Sequence, residues 1–277
     1  MKKRDYSTKQ IVIISLMSIA MLALAVLLNH FLQVNSRETA AQPASTSFAT
    51  ATPAAVPTES PKPTATPDPT KKIATFLQGP KSWKKRLNWS GHWSEEFYDG
   101  GSFGSFGCGL CCMANIYTTF SGHQCSPTDM YQYAKKMTDY GGGGAIDWGY
   151  MKAALQSAGF SSDVWRKPKQ YTSFQKKVKD SLACIVVVSS YDSDVYWENT
   201  AGHYVTIFTY DEKTDRVFLA DSGNPDHNRK WVKLDKIYRS LKKSNKWQIL
   251  AVTRFDAKKD KWQHKGFGGT CVLPQGW

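Results

Sequence analysis

The chain has 277 residues, 41% hydrophobic and 21% charged, with a formal net charge of +13. That length suits one domain of roughly 200 residues with appendages, and is too short for two full-size domains once the ends are set aside. The 13 Phe, 13 Tyr and 10 Trp lie mostly in the C-terminal three quarters, which excludes fibrous, collagen-like and wholly disordered classes. The uncharged run IVIISLMSIAMLALAVLL at 11–28 excludes a plain cytosolic protein.

The first predicted element is that run. As a helix, Ile11 to Leu28 spans roughly 27 Å, and Phe31 and Leu32 prolong it, so 11–32 is expected to cross a lipid bilayer once. Lys2, Lys3, Arg4 and Lys9 precede it, whereas only Arg37 follows closely. Residues 1–10 therefore read as a cytoplasmic basic tail, with the rest of the chain outside the cell membrane. A cleaved signal peptide is the alternative, but its apolar core is usually only about 7–15 residues and is closely followed by a small-residue site. Here the nearest such cluster, Thr39-Ala40-Ala41, is distant. Residues 33–72 are rich in Thr, Pro and Ala; repeated Pro favours extended backbone without a core, so this stretch reads as an extracellular, semi-rigid linker.

A domain is expected over 73–277. Residues 81–107 mix Trp, Tyr and Phe with Gly and Ser without a sustained period, and read as an irregular aromatic segment with one short helix. In 108–122, Leu110, Met113, Ala114 and Tyr117 recur at helical spacing between Gly107 and Gly122. The next helix, 126–140, opens with Ser126 as N-cap, Pro127 at the first helical position and Asp129 at the capping-box position. Helices are also expected over 146–158, with Asp147 near its start, and over 171–182. After Leu182 the pattern changes to CIVVVSS, HYVTIFTY, RVFLADS and WQILAVTRF, four strand-like runs. Helices gathered first and strands last imply an α+β domain, its helices packed on one face of an antiparallel sheet.

Three polar residues fall where such a fold brings them together. Cys108 starts the first domain helix, where exposed amides and the helix dipole favour a thiolate. His203 begins a strand after Thr200-Ala201-Gly202, and Asp221 ends the next strand. An imidazole can act as base and acid while a carboxylate fixes its tautomer. The short DEKTD turn makes HYVTIFTY and RVFLADS a hairpin. If Asp211 faces Asp215, Asp221 lies across from Val205, on the same face as His203. Asn224 is the alternative orienting residue. Cys111 and Cys112, a turn inside the helix, read as packing groups. Cys125 and Cys271 are the cysteines expected to be exposed or paired. With no second CxxC and no HExxH, neither a metal nor a cofactor is expected.

Together FGCGLCCMANIY, GHYVTIFTYD and VFLADSGNP resemble the C39-like group of papain-fold cysteine peptidases over roughly residues 80–257. The resemblance implies a papain-like cysteine proteinase fold with Cys108, His203 and Asp221 as catalytic residues. Relatives commonly have Pro two residues after the nucleophile, where this chain has Leu110. The family also usually carries a Gln a few residues before the Cys to help hold the oxyanion. Residues 99–107 contain none, so the amide of Cys108 would be joined by Ser102, Ser105 or Asn88. The function implied is a membrane-anchored extracytoplasmic cysteine peptidase or amide hydrolase. Its expected partners are a peptide or wall-linked amide substrate, the lipid bilayer through 11–32 and, from the basic charge, an anionic wall polymer; no specific nucleic acid is expected. The alternatives are a catalytically inactive papain-like domain that binds or scaffolds cell-surface material, and a thiol acyltransferase using the same residues.

Overall fold

The computed structural model describes residues 68–87, 89–190 and 196–267. The tail 1–10, the run 11–32, most of the linker, Asn88, Cys271 and Trp277 lie outside the described residues. Among those residues no helix is long and apolar enough to cross a membrane.

The described chain opens with short elements: helix α1 (Pro80–Lys84), a 3₁₀ turn at His92–Glu95, the two-residue strands β1 (Phe97–Tyr98) and β2 (Gly101–Ser102), and helix α2 (Phe103–Phe106). As the missing period foretells, aromatic packing holds this segment more than regular ladders do. Phe76 meets Trp89 and Trp93 edge-on, with ring centroids 5.7 and 5.9 Å apart, and all three rings are buried.

Helix α3 (Cys108–Phe120) is buried from Cys108 through Thr118. Sequence periodicity marks one apolar stripe, but the structure also buries Cys111, Cys112, Asn115 and Ile116, as befits a central helix covered all round. Helix α4 (Pro127–Met137) has the full capping box: Ser126 Oγ accepts from the Asp129 amide at 3.1 Å, and Asp129 Oδ2 accepts from the Ser126 amide at 2.7 Å. Helix α5 (Trp148–Ser157) is N-capped by Asp147. Cys125, expected exposed or paired, is instead buried and free, its sulfur 3.6 Å from Thr118 Oγ1. Its amide donates to Thr118 Oγ1 at 3.2 Å, which holds it inward against α3.

Six antiparallel strands form the main sheet: β3 (Ala158–Trp165), β4 (Ala183–Val188), β5 (His203–Asp211), β6 (Arg216–Ala220), β7 (Lys230–Lys233) and β8 (Ile249–Asp260), in the order β3-β8-β4-β5-β6-β7. Helix α6 (Tyr171–Lys179) lies between β3 and β4 in the chain, and α7 (Leu234–Ser240) follows β7. Strands β3 and β7 and helix α7 are not apparent in the sequence, because AGFSSDVW and KWVK lack a clear apolar alternation and LDKIYRS is shorter than two helical turns.

The expectation that helices cover one face is corrected. Ile185 and Val187 of β4 share a core with α3, α4 and α5, whereas Val186 and Val188 share a second core with Phe174 of α6 and Ile237 of α7. Every β4 residue is buried, as a central strand covered on both faces requires.

Candidate active site

Cys108, His203 and Asp221 meet at one end of the sheet. Cys108 is the first residue of α3, His203 the first of β5, and Asp221 directly follows β6. Gly109 permits the approach: a Cβ there would stand 2.6 Å from Ile146 Cγ2 and 3.3 Å from the Tyr204 ring. The start of α3 can therefore lie against the start of β5 only without a side chain at that position. Trp148 meets Tyr204 edge-on at 4.9 Å and fixes the residue beside His203.

The hairpin reaches the expected register by another route. Asp211 pairs with Arg216, one residue away from the predicted Asp215 partner. Continued unchanged, that register would set Asp221 opposite Thr206, on the face away from His203. The ladder instead shifts between Phe208 and Tyr210, where Thr209 (φ 33°) is the extra residue of a β-bulge. Beyond it Phe208 faces Phe218 and Thr206 faces Ala220. Asp221 therefore extends the strand opposite Val205, and its side chain meets that of His203.

His203 Nε2 lies 2.8 Å from Asp221 Oδ1. Backbone amides of Gly223 (3.0 Å) and Asn224 (3.1 Å) donate to the same oxygen, and Trp197 Nε1 donates to Oδ2 at 2.8 Å. His227 Nδ1 stands 3.4 Å from Oδ2, its ring stacked on Tyr196 at 4.3 Å. Asp221 has no exposed surface. Burial would raise its carboxyl pKa, yet the hydrogen bonds from His203 and Trp197, with His227 close by, hold it well below the usual carboxylate range. Asn224 contributes its backbone to Asp221 and uses Oδ1 to accept from the Asp226 amide at 3.0 Å, so the imidazole is held by Asp221. A Cβ on Gly223 would lie 3.0 Å from two atoms of the His203 ring, which ties that glycine to the imidazole's position.

With Nε2 on the carboxylate, Nδ1 is the ring nitrogen left for the thiol of Cys108, whose own hydrogen bond runs to the Phe106 carbonyl at 3.9 Å. Burial opposes the Cys108 anion, but the His203 imidazole facing it, with the amides of Tyr204 and Gly109, outweighs that and lowers the thiol's pKa. Burial also opposes the imidazolium; its contacts with Asp221 and Cys108 win and raise the His203 pKa. The three groups therefore favour a thiolate–imidazolium pair. By contrast, burial pushes the Cys111 and Cys112 thiols well above their ordinary value. A cleft of about 770 Å³ lies on the carboxylate side of His203, lined by Trp197, Gly202, Gly223 and His227 among others.

The serines proposed as oxyanion donors lie just upstream. Ser102 stands at the N-cap position of α2 without a capping bond from its side chain, and the exposed Ser105 hydroxyl donates to the Ser102 carbonyl at 2.7 Å. Sequence reading overlooked Gln78, which is buried. Its Oε1 accepts from Ser222 Oγ at 2.6 Å and its Nε2 donates to Gly104 O at 3.2 Å, so it links the residue after Asp221 to the segment leading into Cys108. The signal was a glutamine between an apolar run and Gly79-Pro80, thirty residues upstream of the cysteine, too far to be paired with it by local spacing. No group of three or more His, Cys, Asp or Glu side chains among the described residues is arranged to hold a metal ion.

Comparison with known proteins gives three findings. Residues 143–248 match the phytochelatin synthase family model, a segment that contains His203 and Asp221 and begins after Cys108. Among solved structures, the chain is similar to the peptidase domain of Streptococcus ComA, a bifunctional ABC transporter of a quorum-sensing pathway, with 13% identity, 53% of this chain and 90% of that chain covered, and a TM-score of 0.36. It is also similar to a C39-like peptidase from Bacillus anthracis, with 13% identity, 67% and 98% coverage and a TM-score of 0.39. No curated protein sequence matches the chain. The fold is a mixed α/β arrangement around an antiparallel sheet.

Proposed function

We propose that the protein is a membrane-anchored, extracytoplasmic cysteine peptidase or amide hydrolase. The observation that carries this reading is the 2.8 Å hydrogen bond of His203 to the buried Asp221, with Cys108 at the start of its helix the one of three clustered cysteines that His203 shifts toward its anion. In the reaction, the Cys108 thiolate attacks the amide carbonyl carbon. The developing oxyanion is held by the Cys108 amide and, in this reading, by the Gln78 side chain in place of the serines. The C–N bond then breaks as His203 gives its proton to the leaving amine, leaving a thioester on Cys108. Water, deprotonated by His203, attacks that thioester and releases the acid and the free thiol. Asp221 keeps the imidazole oriented throughout.

Acyl transfer to an amine in place of water is the second reading, favoured by the match of 143–248 to a family named for a synthase. It uses the same thioester. The cell-membrane location, with the 1–10 tail cytoplasmic and the domain outside on the 33–72 linker, rests on the apolar run and the positive charge before it. A basic domain so placed suits an anionic wall polymer as its surroundings.

Iodoacetamide labelling across pH, followed by peptide mapping, tests the reading. Cys108 is expected to react selectively well below the ordinary thiol pKa of about 8.5. Reaction at Cys108 only near that value, with full amide turnover by a Cys108→Ala variant, would overturn it.

A further inference from the structure

The end of the sheet that holds His203 also carries a basic groove. Strand β3 ends at Trp165, β8 begins at Ile249, β4 ends at Val188 and β5 begins at His203. Pairings Trp165↔Ile249, Val186↔Ile249 and Val188↔His203 put all four at one end. A groove of about 910 Å³ lies there beside β3 and β8, between the 166–169 and 243–248 loops. It is lined by Arg166, Lys167, Lys169, Lys243 and Lys246 and by no carboxylate. Arg166, Lys169, Lys243 and Lys246 are exposed. Among the described residues Arg166, Lys169 and Lys246 have no acidic partner within 4.0 Å.

Aromatic rings stiffen this cationic surface. Arg166 and Lys246 stand over the Trp247 ring, 5.8 and 5.6 Å from its centroid, and Lys167 lies 4.3 Å from that of Tyr238. Such contacts hold the charged heads in place, so less side-chain freedom is lost when an anion binds. The groove is joined to the catalytic residues by the chain itself. Lys242, next to Lys243, donates its amide to Val187 O, and its Nζ lies so close to Gly202 that a Cβ there would be 2.9 Å from it. Gly202 immediately precedes His203.

From these placements we infer that the groove is a substrate subsite that takes acidic side chains of a peptide whose scissile amide lies at Cys108. This inference rests on the amide-hydrolase reading and names its substrate class. One strand separates β8 from β5 and two separate β3 from β5, so the groove lies about 10–15 Å from His203 across the sheet end. An extended peptide advances about 3.3 Å per residue, which puts the acidic positions about three to five residues from the scissile bond. Complementary charge against the groove then selects the peptide and speeds its encounter.

The test uses the full-length Cys108→Ala chain in detergent, which binds without turnover. Four fluorescent peptides form two pairs, one pair for each side of a central amide, the members of a pair differing only in Glu or Gln at the positions three to five residues from that amide. Anisotropy at low salt is expected to show the Glu peptide of one pair binding about tenfold more tightly than its Gln counterpart. Raising the salt should erase that preference, as should Arg166→Gln, Lys169→Gln and Lys246→Gln together. The single changes Arg166→Gln and Lys246→Gln should each remove part of it, a second readout if the triple variant folds poorly. Equal binding of Glu and Gln peptides in both pairs would overturn the inference, as would a preference that survives the triple change. Tighter binding of single-stranded oligonucleotide, inorganic polyphosphate or anionic vesicles than of any Glu peptide would overturn the peptide assignment. If wild-type chain cleaves none of these peptides yet the Cys108→Ala chain keeps the Glu preference, the hydrolase reading fails while the groove's selectivity stands.

Discussion

At the residue scale, three thiols within two helical turns differ because of what faces them. Cys108 meets an imidazole and two amides; Cys111 and Cys112 meet chiefly apolar surroundings. Cys108→Ala should therefore abolish turnover and low-pH alkylation with little loss of fold, whereas Cys112→Ala should lower the thermal midpoint as a small core cavity does. His203→Ala should return alkylation of Cys108 to an ordinary thiol profile. For Gln78→Ala, turnover is expected to fall about a hundredfold or more while Cys108 labelling persists, since alkylation develops no oxyanion. Turnover unaffected by that change would remove Gln78 from the mechanism. Asp221 contributes to stability against acid. Its folded-state pKa is depressed below the ordinary 3.8, so the stabilisation it gives is full above that value and is lost as pH falls through and below it. Thermal unfolding of Asp221→Asn should accordingly lose part of the wild type's steepness between about pH 5 and 2. His203 acts in the opposite sense: its raised pKa gives stabilisation that is full below about 6.5 and is lost as pH climbs through the raised value.

At the element scale, local signals are strongest where a side chain bonds its own backbone. The Ser126–Asp129 box is complete, and Ser126→Ala is expected to cost about 1 kcal/mol, read as a lowered thermal midpoint with catalysis intact. Helix α3 behaves differently, because its first turn is fixed by what packs on it. Gly109→Ala should cost about 1–3 kcal/mol through overpacking against Ile146 and displace Cys108 from His203, so turnover falls further than stability alone would explain. The β5 bulge is a third case. Thr209 is β-branched at positive φ, a strained position that Gly occupies freely. Thr209→Gly should hold or raise the thermal midpoint and leave Cys108 reactivity unchanged; a clear drop would show that the Thr209 side chain supports the bulge.

At the scale of the whole molecule, the sheet has two covered faces and gathers its candidate sites at one end. Strand β4 separates His203 and Asp221, at the start of β5 and just after β6, from the basic loops after β3 and before β8. The location proposed for the full chain is tested by fractionation. The protein should stay with membranes, resist extraction by salt or alkali, and yield a peptide from before Ile11 on N-terminal mapping. A mature N-terminus between Asn35 and Ala41 would replace the anchor with a cleaved signal while leaving the domain outside.

The amino-acid sequence by itself determined the elements whose signals are local. These are the caps of α4 and α5, the central helix beginning at Cys108, the apolar strands β4, β5, β6 and β8, and the order Cys-His-Asp that marks the candidate site. What only the tertiary structure decided are relations between distant segments. The bulge at Thr209 depends on how β5 pairs with β6, so sequence could not distinguish it from a shifted turn. Strands β3 and β7 form the two edges of the sheet, and helix α7 joins the predicted helix over Tyr171–Lys179 on a face whose need for cover appears only once the sheet exists. Gln78 and Trp197 reach Ser222 and Asp221 from far along the chain, and the basic groove joins loops 166–169 and 243–248 that are well separated in sequence. Hydrogen bonds and charge pairs act over a few ångströms of space, whereas sequence spacing encodes such distances only within a single helix, strand or turn.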